Sequence, residues 1–321
     1  MTKIAIVGTG ALGARHLQAL GRLEGPIWVD LIDPVPSARD KAMALLAEVD
    51  GIRGDVRQYS RIDEVALPPD IAIVATNARE RATAVQQLCS LGCRALILEK
   101  VLFTRHEDYA LAGDAIRKAG AKVWVNCVRR TAPRFHRLQE LITDRPVSYR
   151  VEGYDWGLAC NVIHHLDEWM FLSRAQDVAL TGRFDSEMIL ARRQGYFEVS
   201  GTLSGTAGVH TFEAVNRRGQ ENMRPPGDRT ITIRCEDVQV EIGQAAQELV
   251  VWCGGQVVTR EHYPVAMQSE ATAWHIATIL TGGEPSLPRY EESAKLHLAL
   301  LDTLMPHFQS LDPSLTECPV T

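Results

Sequence analysis

Three glycines within the first thirteen residues constrain this chain more than any other feature. Gly8, Gly10 and Gly13 form a G-x-G-x-x-G pattern directly after the apolar run Ile4–Val7. The run predicts a buried strand, and the residues that follow predict a helix over 11–20. In such a strand–turn–helix unit the first glycine permits a tight turn, the second lets another group approach the backbone, and the third lets helix and strand pack closely. The pattern therefore predicts the first unit of a parallel α/β sheet.

The first 125 or so residues alternate short apolar runs with helical patterns, as in a parallel sheet covered by helices. The predicted strands are Lys3–Val7, Ile27–Ile32, Ile71–Ala75, Ala95–Leu98 and Lys122–Asn126. The predicted helices are Ala11–Leu20, Ser37–Glu48, Arg79–Leu91 and Glu107–Ala119. Gly92 and Gly120 directly follow two of these helices, where glycine commonly ends a helix. We therefore expect a doubly wound Rossmann-type domain over residues 1–126.

From about residue 130 the pattern changes, because β-rich runs follow one another without helices between them. These runs lie near Glu187–Ala191, Tyr196–Leu203, Gly208–Ala214, Arg229–Cys235, Gln239–Ile242 and Leu249–Cys253. A further strand is predicted at Val147–Gly153, and helices at Pro133–Ile142, Gly157–Leu172, Gln268–Leu280 and Tyr290–Phe308. Strands without crossover helices pair antiparallel. Residues 127–321 are therefore predicted to form an α+β domain with a large, mainly antiparallel open sheet, and 220–228 an exposed loop.

Composition and charge exclude several classes of protein. The chain has 321 residues, enough for two domains, and a formal net charge of -6, which argues against nucleic acid as the main partner. No apolar run approaches the roughly 18 residues that span a bilayer, so no membrane is expected as a partner. The first strand begins at Lys3 and leaves no room for a signal peptide, so we expect a cytoplasmic protein. The seven cysteines have no zinc spacing, and no metal site is predicted.

The glycine pattern predicts a dinucleotide site. The free N–H groups and positive dipole end of a helix that follows such a turn bind phosphate oxygens. The residues expected to contact the dinucleotide are those of the turn itself, namely Gly8, Thr9, Gly10, Ala11, Leu12 and Gly13. The alternative is a glycine-rich turn that binds nothing.

Asp33 stands twenty residues after Gly13, at the end of the second predicted strand. A carboxylate at this position accepts hydrogen bonds from the ribose hydroxyls of NAD(H) and repels a 2′-phosphate. NAD(H) is therefore favoured over NADP(H). Arg39 lies within reach of the same region and keeps NADP(H) open, and Asp33 has the alternative role of a turn residue ahead of Pro34.

Later motifs follow in the order of a known family. Thr76 and Asn77 follow the third strand of the cofactor half, Glu99-Lys100 follows the next, and a His164-x-x-Asp167 motif occurs in the second half. In this order the motifs resemble those of the glucose-fructose oxidoreductase/inositol dehydrogenase family, called Gfo/Idh/MocA. Glu99-Lys100 resembles the start of the family's Glu-Lys-Pro motif.

The resemblance implies a cleft between two domains, with nicotinamide on the Rossmann side and a polyhydroxylated ring on the α+β side. It also implies hydride transfer at a sugar-type carbinol or carbonyl, with Lys100 bonding the reacting oxygen and His164 exchanging its proton. The alternatives are a strand-end ion pair for Glu99 and Lys100, and a structural role for one histidine of the pair. Because successive helix positions differ by about 100°, His164 and His165 cannot both face one site.

Two departures from the family affect its catalytic support. Val101 replaces the proline of the motif, so a trans Lys100–Val101 bond is expected, since a cis bond costs roughly 3–4 kcal/mol. Cys160 stands where the family often has an aspartate that orients the histidine. If the motif is shifted by one residue, Asn161 takes the place of the aspartate and His165 that of the histidine, but Glu168 then replaces the aspartate three residues further on. We favour the unshifted alignment, with Cys160, His164 and Asp167.

Several polar and aromatic residues of the second half are candidates for substrate contact or support. In the favoured alignment Asn161 contacts the substrate or the histidine and Asp167 supports the site. Arg129, Arg130 and Arg134 cluster where the second domain begins, and either bind an acidic substrate group or form a solvated face. Trp156 offers an apolar face to a sugar ring.

The leading hypothesis is an NAD(H)-dependent oxidoreductase that acts on a sugar, cyclitol or sugar nucleotide. The alternative is a dinucleotide-dependent regulatory or binding protein of the same fold that has lost redox turnover. Reduction of an imine or enone in a non-sugar substrate fits the same cofactor domain. Because an open sheet needs both faces covered, we expect a homo-dimer or homo-tetramer formed through the sheet of the second domain.

Overall fold

The computed structural model describes residues 2–49, 51–142, 145–219, 227–264 and 268–321. By packing, the chain divides into two units. The first consists of Met1–Val128 and Ala266–Ala294, and the second of Arg129–Val265 and Lys295–Thr321. The domain boundary predicted from the sequence places residues 266–294 in the second domain. In space this segment lies with the first unit, because the helix that begins at Gln268 packs on the helix that begins at Ala11. Where the folding domains begin and end stays a prediction.

The sheet of the first unit is wholly parallel. Its strands are β1 (Thr2–Val7), β2 (Ile27–Ile32), β3 (Gly54–Tyr59), β4 (Ile71–Val74), β5 (Ala95–Leu98) and β6 (Lys122–Val125). They lie in the order β3-β2-β1-β4-β5-β6. This confirms the predicted doubly wound Rossmann sheet. Strand β3 was not predicted, because GDVRQY lies at the edge of the sheet, where an exposed strand carries no apolar run.

Helices connect the parallel strands. The α-helices of the described chain are α1 (Ala11–Leu20), α2 (Pro36–Leu46), α3 (Arg81–Leu91), α4 (His106–Ala119), α5 (Pro133–Leu141), α6 (Leu158–Ser173), α7 (Gln268–Leu280) and α8 (Tyr290–Leu311). Gly92 ends α3 and Gly120 ends α4, both in the left-handed conformation that glycine adopts without penalty. The core of the first unit is formed by the apolar faces of α1 and α2 against the buried strands β1, β2 and β4.

The second unit contains a large mixed sheet. Its strands are β7 (Ser148–Tyr154), β8 (Ala179–Phe184), β11 (Gly201–Ala207), β12 (His210–Arg217), β13 (Arg229–Cys235), β14 (Val238–Gly243), β15 (Glu248–Cys253) and β16 (Gln256–His262), and a short ladder joins β9 (Ile189–Leu190) to β10 (Phe197–Glu198). The order in the large sheet is β16-β15-β14-β13-β7-β12-β11-β8, with β7 and β12 parallel and the other pairs antiparallel. The predicted α+β unit is confirmed.

One face of this sheet is covered by α6. Trp169 of α6 lies 5.3 Å from the ring of Phe212 on β12, and Gly205 on β11 leaves room for the indole. Side chains alternate along the strands, so that Tyr149 and Val151 of β7 are buried while Arg150 and Glu152 are partly exposed. The sheet thus fixes the depth and direction of α6, which carries the predicted proton-transfer residue.

Within the part of the chain that the structure describes, no helix is both long and apolar enough to cross a bilayer. Of the predicted exposed loop, residues 220–226 lie outside the described residues.

Candidate functional site

The glycine turn has the geometry that its sequence predicts. Gly8 has φ of +88°, and a Cβ there would lie 2.6 Å from the backbone nitrogen of Thr76. A Cβ on Gly13 would lie 1.9 Å from the carbonyl oxygen of Gly8. Gly10, by contrast, has no atom within 4 Å of its Cβ position. The turn therefore needs Gly8 and Gly13 for its own packing, while Gly10 leaves open space above the backbone.

The open space lies at the start of α1. Gly10 is the N-cap of this helix and no side chain caps it. Ala11 and Leu12, the first helical residues, are exposed, whereas Thr9 is buried. The uncapped first turn presents backbone N–H groups to any phosphate that enters, so the residues present fit a dinucleotide.

Asp33 is held beside the glycine turn. Its Oδ2 accepts a hydrogen bond of 2.7 Å from the backbone nitrogen of Thr9, and its Oδ1 one of 2.9 Å from that of Val35. The guanidinium of Arg39 donates to the carbonyl oxygen of Asp33. The carboxylate therefore stands at the end of β2 in a fixed orientation, and Arg39 lies next to it, as expected.

Thr76 and Asn77 lie in the loop between β4 and α3. The Asn77 side-chain oxygen accepts hydrogen bonds from the backbone nitrogens of Arg79 (3.1 Å) and Glu80 (3.2 Å), so Asn77 orders the turn that leads into α3. Thr76 is next to Gly8 in space. The loop is thereby placed against the glycine turn, where the resemblance assigns it.

The Lys100–Val101 peptide bond is cis, so the predicted trans bond is wrong. Val101 is fully buried, and a buried arginine from α3 binds the backbone that follows it. The Arg81 guanidinium donates to the carbonyl oxygens of Val101, Leu102 and Thr76. Long-range contacts of this loop, which no local pattern reveals, decide its conformation. Arg81 is thus a residue that sequence reasoning passed over.

Glu99 belongs to a buried polar network rather than to a simple ion pair with Lys100. Its Oε1 lies 3.0 Å from Nε2 of His16 on α1 and accepts a hydrogen bond from the side chain of Asn126. Nδ1 of His16 lies 2.8 Å from Oγ1 of Thr272 on α7. Burial alone would raise the pKa of Glu99, but the bonds from His16 and Asn126 outweigh it and lower the pKa below 4.5.

Lys100 directly follows this network. Its backbone nitrogen lies 3.3 Å from the Oε2 of Glu99, and its side chain is half-buried at the end of β5. The strand ends β4 and β5 are neighbours in the sheet, so Lys100 and the Thr76 loop lie at the same carboxyl edge as the glycine turn. In open parallel sheets that edge is where ligands bind.

In the second unit, α6 begins at an unusual turn. Gly157 is its N-cap, with φ of +73°, and a Cβ there would lie 2.9 Å from the Glu198 carboxylate. Glu198, on β10, accepts a hydrogen bond of 3.3 Å from the backbone nitrogen of Cys160. The side-chain amide of Asn161 donates to the carbonyl oxygens of Trp156 and Gly157, at 3.0 Å each. Asn161 and Glu198 thus stabilise the first turn of the helix.

The two adjacent histidines of α6 have different surroundings. His165 is fully buried, and its Nδ1 lies 2.9 Å from the Tyr149 hydroxyl and 3.1 Å from Oε2 of Glu168. Burial, and then the charges of Arg129 and Arg229, hold the pKa of His165 well below 6.5, so its imidazole is neutral. His164 is half-buried. The histidine that resembles the family's catalytic residue is therefore the more accessible one.

Asp167 and Arg130 form a buried ion pair, with Nη1 and Oδ1 3.2 Å apart. The Arg130 guanidinium also lies 5.3 Å from the ring centre of Phe171. Arg134, four residues later at the start of α5, lies 3.7 Å from the Glu261 carboxylate and 4.3 Å from the ring centre of Tyr263. The predicted arginine cluster is thus divided, because two of its members are bound to carboxylates of the fold.

Trp156 is 3% exposed. Its indole nitrogen donates a 2.9 Å hydrogen bond to the carbonyl oxygen of Val215, its ring meets His165 edge-on at 5.6 Å, and the Arg229 guanidinium lies 5.5 Å from its centre. The ring therefore belongs to the polar core under α6, and Arg229 is a neighbour that sequence reasoning missed, because it comes from a strand more than 70 residues away.

Comparison with known proteins agrees with this fold and cofactor site. Residues 2–127 match a family model, GFO_IDH_MocA, described as an oxidoreductase family with an NAD-binding Rossmann fold. The predicted resemblance and the predicted nicotinamide dinucleotide are confirmed by this match. No curated protein sequence matches the chain.

Solved structures share the fold over nearly the whole chain. An oxidoreductase from Agrobacterium radiobacter, in complex with NAD+, L-tartaric acid and magnesium, is 14% identical with a TM-score of 0.75, covering 96% of this chain and 97% of that one. The myo-inositol dehydrogenase of Lactobacillus casei, in complex with NAD(H) and myo-inositol, is 14% identical with a TM-score of 0.72 (97% and 96%). A super-repressor mutant of Gal80p from Saccharomyces cerevisiae is 13% identical with a TM-score of 0.71 (96% and 96%).

At these identities the structures establish the fold alone, and the family model identifies its first domain. Over residues 2–127, this chain carries the NAD-binding Rossmann domain of the Gfo/Idh/MocA oxidoreductase family.

Proposed function

We propose that this protein is an NAD(H)-dependent oxidoreductase that transfers hydride to or from a carbinol or carbonyl carbon of a sugar, cyclitol or sugar nucleotide. The observation that carries the proposal is the glycine turn, which packs through Gly8 and Gly13 and leaves Gly10 open at an uncapped helix start. Support comes from the match of this domain to an NAD-binding oxidoreductase family.

The cofactor would be held by backbone more than by side chains. The N–H groups from Gly10 to Gly13 would bind the pyrophosphate, and the Asp33 carboxylate the adenosine ribose. Thr76, Asn77 and the Glu99–Lys100 segment line the same carboxyl edge of the sheet. When bound, the nicotinamide supplies the acceptor or donor for hydride. The carboxylate of Asp33 favours NAD(H), and Arg39 is the cation that a 2′-phosphate would use.

Proton transfer is assigned to two side chains, Lys100 on the first unit and His164 on the second. During oxidation the carbinol C–H bond breaks as hydride leaves, the C–O bond becomes a carbonyl, and the hydroxyl proton passes to His164. The ammonium of Lys100 would donate a hydrogen bond to the reacting oxygen and stabilise its developing charge. Reduction runs the same steps in reverse, with His164 as the acid.

The remaining predicted residues receive supporting roles. The Asp167–Arg130 ion pair would hold the middle of α6 and so the direction of His164. Cys160 places a thiol, and not a carboxylate, one turn before His164. Asn161 would contact the substrate only by giving up its bonds to the helix start.

Substrate chemistry is guided by two of the structural relatives. One was crystallised with NAD(H) and myo-inositol, and the other with NAD+ and L-tartaric acid. Both ligands carry hydroxyl groups on adjacent carbons, which is the class of substrate proposed for this chain.

The function is tested by incubating the purified protein with NAD+ and a panel of sugars, cyclitols, sugar acids and nucleotide sugars, and by following NADH absorbance. We expect one class to give turnover that Lys100→Ala lowers by about 100-fold or more, a larger loss than the loss of NADH affinity. Lys118→Ala, at an exposed position of α4, is the matched control. Normal NADH binding with no turnover on any substrate would contradict the proposal.

A second candidate is a dinucleotide-binding regulatory protein without redox turnover. It is favoured by Val101 and Cys160, which replace family residues, and by the likeness of the fold to Gal80p, whose solved form is a super-repressor mutant. This second candidate predicts that NADH binds and changes the affinity of the protein for another macromolecule, while no substrate of the panel is turned over.

We also propose that the second unit forms a homo-dimer or homo-tetramer through the sheet face opposite α6. This face carries partly exposed charged residues such as Arg150, Glu152 and Glu213. Light scattering at micromolar concentration tests the proposal, and a monomer would contradict it.

A further inference from the structure

Among the described residues, one buried guanidinium of the second unit has no carboxylate within ion-pair distance. Arg229, the first residue of β13, is 6% exposed. Its Nε has no hydrogen-bond partner within the described chain, and its Nη1 has one long bond of 3.4 Å to the carbonyl oxygen of Gly227. Its guanidinium lies 5.5 Å from the ring centre of Trp156. Burial of a charge without a paired counter-charge is costly, and guanidinium groups at such sites ordinarily meet a carboxylate or phosphate.

A second arginine adds its positive charge to the same place. Arg129 begins the second unit and is half-buried. Burial, and then repulsion by Arg129, lower the pKa of Arg229 to about 9. Arg129 also lowers the pKa of His165 and of Glu168, so the positive charges of both arginines act on the polar core under α6.

Neighbouring arginines show what pairing looks like in this fold. Arg130 lies 3.2 Å from Asp167, and Arg134 lies 3.7 Å from Glu261. Among the described residues, neither Arg129 nor Arg229 has a carboxylate oxygen within 4 Å. Among the acids, Glu168 acts most strongly on the pKa of Arg229, but its Oε2 already accepts a hydrogen bond from Tyr149 and lies 3.1 Å from Nδ1 of His165.

A second buried polar atom of this core also lacks a partner. Nε2 of His165 has no hydrogen-bond partner within the described residues, and the His165 ring meets Trp156 edge-on. If Nδ1 donates to Glu168, Nε2 is an acceptor without a partner among the described residues. Because His165 is fully buried, we assign this nitrogen to the core and the Arg229 guanidinium to the ligand.

We propose that Arg129 and Arg229 bind an oxyanion of the substrate, so that the substrate is an anionic polyhydroxy compound rather than a neutral sugar. This rests on the proposed function, since it names the substrate of that reaction. The oxyanion is a carboxylate or a phosphate ester, two sources of one chemistry that Arg recognises by paired N–H bonds. A neutral substrate would supply no counter-charge to either guanidinium.

The experiment measures binding rather than turnover, by calorimetric titration of the NADH-saturated full chain. The probes are D-gluconate, D-glucose 6-phosphate and inorganic phosphate for the oxyanion, and D-glucose and myo-inositol as neutral counterparts. We expect at least one oxyanion probe to bind about tenfold or more tightly than both neutral ones, as a lost charge-assisted bond predicts. Comparison of D-gluconate with D-glucose 6-phosphate shows whether the site prefers a carboxylate or a phosphate ester.

Variants then connect this preference to the two arginines. Arg129→Gln and Arg229→Gln are each expected to weaken the preferred probe about tenfold or more, and Arg229→Lys by less. Arg183→Gln, on the exposed side of β8 in the same unit, is the matched control and should leave it unchanged. Because Arg229→Gln removes a buried charged group, NADH affinity and circular dichroism are measured to show whether each variant folds. Arg129 is only half-buried, so Arg129→Gln tests the site independently of this risk.

The outcomes separate this inference from the proposed function. Binding of an anionic probe that needs both arginines, without hydride transfer to any substrate, supports the oxyanion site and contradicts the function. Turnover of a neutral sugar that Arg129→Gln and Arg229→Gln leave unchanged supports the function and overturns the site. No preference for any oxyanion probe, or equal losses in the Arg183→Gln control, also overturns it.

Discussion

Nε2 of His16 lies 3.0 Å from Oε1 of Glu99, and both side chains are buried. This contact joins the helix that follows the glycine turn to the residue that precedes Lys100. Asn126 from β6 and Thr272 from α7 complete the network. The cofactor turn and the predicted catalytic lysine are thus connected through one charged carboxylate in the core of the first unit.

Replacing His16 should leave that carboxylate without its principal partner. We expect His16→Leu to lower the free energy of unfolding of the first unit by about 3 kcal/mol, the usual cost of breaking a buried pair on one side. Urea unfolding at neutral pH measures this loss. The substitution His106→Leu, at an exposed position, is the control. Equal stability of the two variants would show that the His16–Glu99 contact contributes nothing.

The glycine turn predicts two separable effects. Gly13→Ala places a methyl group against the Gly8 carbonyl oxygen and should destabilise the fold, because backbone cannot move aside. Gly10→Ala meets no atom of the protein. It should therefore change stability by less than about 1 kcal/mol but weaken NADH binding about tenfold or more, since the methyl group occupies the space of the pyrophosphate. Urea unfolding and NADH titration of both variants test this, and normal NADH affinity of Gly10→Ala would contradict the assigned site.

The adjacent histidines of α6 should respond in opposite ways. His164→Asn is expected to lower kcat by about 100-fold or more while leaving the free energy of unfolding unchanged. His165→Asn removes the partner of Tyr149 and Glu168 in the core and should lower stability by about 2 kcal/mol. Steady-state kinetics and urea unfolding of both variants distinguish the two roles. Loss of stability in His164→Asn with unchanged kcat would reverse the assignment.

His275 on α7 should make the first unit sensitive to acid. Burial, and then the charge of His16, lower the pKa of His275 from 6.5 to about 4. Because the folded state has the lower pKa, the unfolded state takes up a proton first as the pH falls below 6.5, and stability is lost. Between pH 7.5 and pH 5 the loss is about 2 kcal/mol.

The substitution His275→Phe tests this effect, since it keeps an aromatic ring of similar size and removes the titration. We expect its free energy of unfolding, measured by urea at both pH values, to fall by about 2 kcal/mol less than that of the wild type over this range. Identical pH profiles would contradict the neutral, buried state of His275.

Most of the Rossmann sheet was predictable because its strands are buried on both faces and read as continuous apolar runs. The edge strand β3 was not, because GDVRQY is largely exposed and polar. In the second unit the sequence analysis missed β8 and β16 for the same reason, since both consist mainly of exposed residues at the two edges of the sheet.

The candidate site was predictable only where its residues follow one another closely in the chain. Gly8, Gly10, Gly13 and the order of later motifs carried a local pattern. His16, Arg81 and Arg229 carried none, because each acts through a partner that lies 20 or more residues away or packs from another element. Choosing between His164 and His165 also needed the structure.

By itself, the sequence determined the glycine turn, the parallel sheet that follows from it and the family of its cofactor domain, because these depend on local backbone geometry and apolar periodicity. Only the tertiary structure decided that Lys100–Val101 is cis and that Glu99 is bound by His16. It also decided that Arg229 lies over Trp156. Such features depend on contacts between residues far apart in the chain, which a one-dimensional pattern does not contain.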